Sequence, residues 1–392
     1  MKIDLQPAVL QWARERAQLS QEALADRFSK KDADRWLGKI RKWENDGKIT
    51  FAQAENLARK VRVAFGYLFL PEPPEERLSI PDFRTVRSEG PAKISPDLMD
   101  TIHLMQRRQT WLREERVEVE AEPLSFIGSA RTTDEPAAIA REMRRIVGLE
   151  EGWAQRVTSW TAAIGALRDL IEDLGIMAVI NGVVGNNTHR KLDVAEFRGF
   201  ALSDHYAPLV FVNGADAKSA QMFTLAHELA HLWLGKAGEG LSGFQGLEPT
   251  GGKVERFCDR AAAEFLVPAV EIRAAWPEVS RLDQPFEKLA GRFKVSPVVI
   301  GRRAMDLKLV DRDDFFRFYR DYTREEFRKK RAAAGKGDFY NNQNTRVGRL
   351  FATHVILAAK EGRIGFKDAY DLSGLHGGAF QKYARKLGVS LP

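Results

Sequence analysis

The stretch that decides the fold of this chain runs from residue 221 to residue 235 and reads QMFTLAHELAHLWLG. Within it, His227, Glu228 and His231 form a His-Glu-x-x-His pattern, and most of the surrounding residues are apolar. Histidines four positions apart lie on one face of a helix and can bind the same metal ion. The stretch therefore predicts a buried helix that carries a zinc (Zn2+) site.

Glu228 is the residue of this pattern that could act as a general base. Zinc lowers the pKa of a coordinated water to about 7, which supplies a hydroxide nucleophile at neutral pH. A carboxylate next to the first histidine can take the proton of that water and pass it to the leaving amine. The pattern thus predicts a metallopeptidase with Glu228 as its catalytic residue, although so short a motif also occurs by chance on solvated helices.

A second segment supplies candidates for a third metal ligand. Residues 255–268 read ERFCDRAAAEFLVP, and their small residues would allow a second helix to approach the first closely. Glu255 and Asp259 share one helix face, whereas Glu264 lies nine residues after Glu255 and so on the opposite face. The residues themselves leave the choice of ligand open.

The two segments together resemble the ImmA/IrrE family of zinc metallopeptidases. That family has an HExxH helix followed downstream by a segment of the type Glu-x-x-Ala-Asn-x-Phe-Ala-x-x-Leu-Leu-Met-Pro. The resemblance implies that Glu255 is the third ligand. Asp259 stands where the family has an amide, which makes it either a partner of a ligating histidine or a competing ligand. Zinc suits two imidazoles and a carboxylate, with manganese (Mn2+) as the alternative metal.

The same resemblance implies regulatory proteolysis, in which the enzyme cuts a protein substrate such as a transcriptional repressor or an antitoxin in a stress or mobile-element response. The alternative is a DNA-binding transcriptional regulator whose zincin-like domain is a sensor or scaffold and cuts nothing. Glu228 favours the enzyme, because a purely structural site needs no general base. A third hypothesis, that the protein is one half of a toxin–antitoxin pair, is compatible with both of these functions.

Two further residues are candidates for the oxyanion or the substrate. His205 and Tyr206 fall between the last two predicted strands before the motif, from where either side chain could reach a bound peptide. The alternative is that both are surface loop residues. The remaining histidines have no motif context and are predicted to be structural or solvated: His103, His189, His354 and His376.

The elements before the motif indicate an α+β zincin-like domain. A helix is predicted over residues 158–174, and strands over 176–180, 197–202 and 208–212, with a Gly/Asn-rich turn at 181–190. The whole chain is predicted to be α+β and mostly helical. Its parts are an all-α helix-turn-helix domain at 1–70, a linker and helical connector at 71–145, the metallopeptidase domain with a small sheet at 146–275, and a basic helical C-terminal domain at 276–392.

The N-terminal residues resemble the phage-repressor-like (XRE) helix-turn-helix family. The stretches that carry the resemblance are LSQEALA at 19–25 and IRKWENDG at 40–47, and Ser20 and Thr50 are predicted helix caps. The resemblance implies that Lys39, Arg41 and Lys42 contact DNA. The alternative is a helix-turn-helix used for protein contact or dimerisation, because the insert at 30–36 mixes charges of both signs.

The net charge of +7 is unevenly distributed. Residues 277–392 contain 24 Lys and Arg against 14 Asp and Glu, a net of +10, so the first 276 residues sum to −3. A basic segment of this kind can bind nucleic acid or an acidic partner. The alternative is that its charges only keep an exposed surface solvated. Ser296 and Pro297 predict a helix start within a second helix-turn-helix-like pair, where Arg302 and Arg303 either contact phosphates or pack.

No run of eighteen apolar residues occurs, so no membrane partner is expected. The first residues lack the features of a signal peptide, and the single cysteine, Cys258, excludes an internal disulfide framework. These observations predict a cytoplasmic protein. They leave oligomerisation open.

Overall fold

The structure, a computed structural model, describes residues 2–75, 94–235, 252–329 and 344–391, and the side chains of 325–329 and 344 are left aside. The sequence also predicts an extended segment at 80–85 and a hinge at 332–337, and both lie outside the described residues. The described residues divide into two compact units. The first consists of residues 2–75 and 94–102, and the second consists of the described residues from 103 onward. The predicted class, α+β and mostly helical, is confirmed.

The first unit is built from short helices and one small ribbon. Its elements are β1 (Lys2–Asp4), α1 (Pro7–Arg16), α2 (Gln21–Phe28), α3 (Ala33–Asp46), β2 (Lys48–Thr50) and α4 (Phe51–Val61), followed by a 3-10 turn (Phe65–Phe69). The predicted caps are confirmed, since Ser20 accepts a hydrogen bond from the amide of Ala23 and Thr50 forms a capping box with Gln53.

The second unit contains the sheet and most of the helices; α5 begins in the first unit and continues here. Before the motif helix it has α5 (Pro96–Glu118), α6 (Pro136–Val147), α7 (Trp160–Asp173), β3 (Met177–Asn181), β4 (Val183–Val184), β5 (Asn187–Lys191), β6 (Gly199–Leu202) and β7 (Leu209–Asn213). From the motif helix onward it has α8 (Lys218–Leu234), α9 (Lys253–Leu266), α10 (Ala269–Val279), α11 (Pro285–Phe293), α12 (Pro297–Asp306), α13 (Arg312–Lys329), α14 (Arg349–Lys360), α15 (Phe366–Ser373) and α16 (Gly377–Lys386).

The three strands predicted before the motif form one sheet in the order β3–β7–β6. β3 and β7 are parallel, with Val179 opposite Phe211, while β6 runs antiparallel to β7. All residues of these strands are buried, which explains why they are continuous apolar runs instead of alternating patterns.

The predicted turn at 181–190 is wrong, because this segment is the β4–β5 hairpin. Val184 pairs with Asn187 across a two-residue turn at Gly185 and Asn186, and Gly185 has the positive φ of 55° that such turns require. The polar strand β5 is largely exposed, so its residues lack the apolar pattern that would have identified it.

Helix α8 lies in the middle of this unit and is buried on almost every side, as expected for a helix that is apolar all round. It approaches the sheet closely at Gly199 of β6, where an added Cβ would lie 2.6 Å from Cγ2 of Thr224. On its other side α9 contributes the fully buried small residues Cys258, Ala261 and Ala262 to the same core. No helix in the described ranges is both long and apolar enough to span a membrane.

Candidate metal centre

The two motif histidines converge with one glutamate of α9. The Nε2 atoms of His227 and His231 lie 3.1 Å apart. One carboxylate oxygen of Glu255 lies 3.1 Å from Nε2 of His227, and the other lies 3.4 Å from Nε2 of His231. Both histidines are buried, and Glu255 is only partly exposed, so the three ligand-type atoms face one another in an enclosed space.

These spacings fit a zinc ion. Four ligands placed tetrahedrally at about 2.0–2.1 Å from zinc lie about 3.3 Å from each other. The distance of 3.1 Å between the two Nε2 atoms is near that value, each of these nitrogens has one oxygen of Glu255 within 3.4 Å, and two imidazoles with one carboxylate leave a fourth position for water or substrate. The residues present therefore fit the metal that the sequence predicts.

Asp259 contacts the other nitrogen of the first histidine. Its Oδ1 lies 2.9 Å from Nδ1 of His227, one helical turn beyond Glu255 on the same face of α9. A proton held on Nδ1 next to this carboxylate leaves the lone pair of Nε2 directed at Glu255 and His231, which is the tautomer that a metal needs. The structure thus places Asp259 behind His227, outside the group of three ligand-type atoms.

The centre favours positive charge. Burial alone would lower the pKa of His227, but the carboxylates of Asp259 and Glu255 outweigh it and raise that pKa well above its ordinary value. For Glu255, burial would raise the pKa, and the two histidines outweigh it and hold the pKa well below its usual range. The same arrangement of charges attracts a metal cation.

Glu228, the predicted catalytic residue, is fully buried. It follows His227 on α8, and its side chain packs below β6, where an added Cβ on Gly199 would lie 3.2 Å from its Cγ. Sequence reasoning missed Gly199, which makes room for this side chain. A glycine inside an apolar strand is the signal that could have identified it, because such glycines mark close approach.

Glu264, the third ligand candidate, has a different role. Its carboxylate pairs with Arg303 and accepts a hydrogen bond from the amide of Ala269, the first residue of α10, at 3.2 Å. Arg303 also donates to the carbonyl of Val267. Of the two alternatives for Arg303, the structure supports packing, and Arg302 pairs with Asp306 at 3.1 Å.

His205 and Tyr206 lie in the loop between β6 and β7. The side chain of His205 is exposed, and its carbonyl accepts a hydrogen bond from the amide of Leu124. The ring of Tyr206 lies 5.8 Å from the guanidinium carbon of Arg113 on α5. Neither belongs to the group of three ligand-type atoms among the described residues. Their role at an oxyanion stays a prediction.

The three residues predicted to contact DNA lie on α3 of the first unit. Arg41 and Lys42 are exposed, and Arg41 is 3.5 Å from the carboxylate of Glu22. The ammonium of Lys39 lies over the ring of Trp36, 4.2 Å from its centroid.

Comparison with protein families locates two domains. Residues 172–305, about a third of the chain, match the model described as the IrrE N-terminal-like domain (Peptidase_M78). This match includes α8 and α9 and indicates a metallopeptidase-type domain, for which a metal is expected. Residues 347–386 match a domain of unknown function, DUF8813. No curated protein and no solved structure matches significantly. Since neither family match covers the first unit, its helix-turn-helix identity stays a prediction.

Proposed function

We propose that this protein is a zinc-dependent endopeptidase that acts in regulatory proteolysis. The observation that carries the proposal is the convergence of the ligand-type atoms of His227, His231 and Glu255, with a buried glutamate, Glu228, directly after His227 on α8. The match of residues 172–305 to a peptidase family supports the same conclusion.

Each residue of the centre has a distinct task. His227, His231 and Glu255 hold the metal, which when bound polarises a peptide carbonyl and acidifies a water. Glu228 accepts a proton at its carboxylate and returns it to the amine that leaves. Asp259 keeps the proton of His227 on Nδ1, so that Nε2 stays available as a ligand. The burial of α8 keeps bulk water from these groups.

The substrate we propose is a repressor or an antitoxin, in a stress or mobile-element response. The first unit would bring it to the enzyme, either through DNA contacts of Lys39, Arg41 and Lys42 or through pairing with a similar domain. This part of the proposal rests on the resemblance of the first unit to phage-repressor-like domains.

The test compares four full-length proteins produced in cells: the wild type, Glu228→Gln, Glu255→Gln and the control Glu118→Gln, which changes an exposed carboxylate at the end of α5. Metal content is measured by elemental analysis, and new protein N-termini are mapped by mass spectrometry with and without DNA damage. We expect Glu228→Gln to retain the metal and lose all cleavage, Glu255→Gln to lose both, and the control to lose neither.

The outcomes separate the enzyme from its rival. Cleavage that persists in Glu228→Gln would contradict the catalytic role of that residue. Full metal content without cleavage by the wild type under either condition would favour the alternative, a DNA-binding regulator that uses the centre as a sensor or scaffold.

A further inference from the structure

Three cations form a row on the exposed side of α9. Lys253, Arg256 and Arg260 are all exposed. Their spacing of three and four residues places them on one strip of the helix surface, about 60° wide. Over the part of the chain that the structure describes, none of these three side chains has an ion pair or a hydrogen bond. We call these three residues the α9 stripe.

The acidic residues of α9 have other partners. Carboxylate oxygens of Glu255 and Asp259 lie 3.1 Å and 2.9 Å from the two ring nitrogens of His227. Glu264 pairs with Arg303 of α12. Since these are the only carboxylates of α9, and the structure describes the whole helix, the helix does not neutralise its own cations. The α9 stripe is therefore a concentrated positive charge at the surface.

The α9 stripe borders the accessible side of the candidate metal centre. The side chains of His227 and His231 are 3% and 0% exposed, whereas those of Glu255 and Asp259 are 14% and 19% exposed. Solvent therefore reaches the centre at the carboxylates of α9. Arg256 lies about 60° around the helix from Asp259. A chain that enters through this opening passes directly beside the stripe.

We propose that the α9 stripe binds acidic side chains of the cleaved peptide, so that the substrate class is a protein segment with Asp or Glu close to the scissile bond. This assignment rests on the peptidase function proposed above. Arginine can bind a carboxylate through two parallel hydrogen bonds. The stripe extends over about 10 Å of helix, which equals about three residues of an extended peptide. Acidic residues are therefore expected within about four residues of the cut bond.

A peptide fits this place better than a nucleic acid does. Duplex DNA carries one negative charge per about 1.7 Å of its axis, so its backbone would bring phosphates close to Glu255 and Asp259 as well as to the stripe. Those carboxylates would repel the phosphates. A peptide can instead present carboxylates to the stripe and an uncharged backbone to the metal ligands.

The first measurement is peptide binding by the full-length, zinc-loaded Glu228→Gln protein, in which cleavage is expected to be lost. The probes are two fluorescein-labelled pools of random peptides that differ only at three fixed positions, which hold Glu in one pool and Gln in the other. Anisotropy at low salt, where screening is weak, gives the affinity for each pool. We expect the Glu pool to bind about tenfold more tightly, since three exposed ion pairs together contribute about that factor. Adding Lys253→Gln/Arg256→Gln/Arg260→Gln should remove the difference.

Two further variants separate this surface from general positive charge. The control Arg145→Gln/Arg281→Gln/Lys288→Gln removes three exposed cations elsewhere in the second unit and should keep the tenfold preference. The charge reversal Arg256→Glu/Arg260→Glu should invert the preference, so that the Gln pool binds more tightly than the Glu pool. Thermal melting and elemental analysis check that each variant is folded and contains zinc.

The second measurement maps, by mass spectrometry, the bonds that the wild type cuts in a peptide digest of a cell lysate. We expect Asp and Glu to be enriched within about four residues of these bonds, and the triple variant of the α9 stripe to lose this enrichment. Cuts without acidic residues nearby would overturn the assignment and leave the peptidase function standing, whereas the absence of any cut would contradict the peptidase function itself.

The binding measurement also has outcomes that overturn the assignment. One is equal affinity for both pools in the Glu228→Gln protein, and another is a preference that survives in the triple variant. Stripe-dependent binding of a DNA duplex that the Glu pool does not displace would overturn it as well, because the occupant would then be a nucleic acid.

Discussion

A buried carboxylate away from the metal centre gives a pH-dependent prediction. Glu172 of α7 is 2% exposed and accepts hydrogen bonds from the amides of Arg349 and Leu350, at the start of α14. Burial raises its pKa to about 7 from 4.5, against the opposing effects of Arg168 and of the Leu350 amide. We therefore expect Glu172 to hold a proton at mildly acidic pH.

The raised pKa of Glu172 makes the stability of the folded state depend on pH, because proton binding and folding are linked. Because the pKa is raised, the folded state holds the proton more tightly than the unfolded chain. This contribution to stability is fully present below pH 4.5 and is lost as the pH rises through 7. A shift from 4.5 to about 7 corresponds to about 3.4 kcal/mol in total, of which about 2.5 kcal/mol disappears between pH 5 and pH 8.

The assay compares wild type with Glu172→Gln, which keeps a hydrogen-bond acceptor but cannot titrate. Hydrogen exchange of the α14 amides, corrected for intrinsic rates, gives the opening free energy of this helix from pH 5 to pH 8. We expect the wild-type value minus the variant value to fall by about 2.5 kcal/mol over that range. The control is Glu151→Gln, an exposed carboxylate in the same unit, for which the difference should stay constant.

A difference for Glu172→Gln that is flat or rises with pH would refute the reasoning. It would mean that the carboxylate stays ionised at pH 5, and that the first turn of α14 stabilises its charge more than burial opposes it.

Two further predictions concern the domain that contains the candidate metal centre. Asp259→Asn should weaken zinc binding about 10- to 100-fold in competition with a chelator, because the contact behind the first ligand is weakened, and unchanged affinity would contradict that role. Gly199→Ala should lower the free energy of unfolding by about 1–3 kcal/mol, because the new Cβ would lie 2.6 Å from Thr224 and 3.2 Å from Glu228. The control Gly165→Ala on α7, with nothing within 4 Å, should raise it by about 0.5–1 kcal/mol, and equal melting temperatures for the two variants would count against the close approach.

Local signals made much of this fold predictable. The caps at Ser20 and Thr50 depend on residues three positions away, and the structure contains both. The three core strands and the buried helix α8 were predictable because their apolar runs have the length of one element. The spacing of His227 and His231 fixes their common helix face without any tertiary information.

Features that depend on contacts between distant parts of the chain were not predicted correctly from the sequence. The polar strand β5 was predicted as a turn, because an exposed strand needs no apolar pattern. Helices α15 and α16 were predicted only as part of a basic helical C-terminal domain, because nothing in their residues alone indicates where one helix ends and the next begins. The ion pair of Arg303 with Glu264 joins residues 39 positions apart, so no local pattern could reveal it.

The sequence by itself determined the chemistry available to this protein: two histidines and a glutamate on one helix, three acidic candidates on the next, and a basic C-terminal region. Only the tertiary structure decided how those groups are used. The rotation of α9 against α8 places Glu255 beside both Nε2 atoms, Asp259 behind His227, and Glu264 on the far side with Arg303. That rotation is set by close packing of small residues between the two helices and against the rest of the core, and packing of this kind is a property of the whole core.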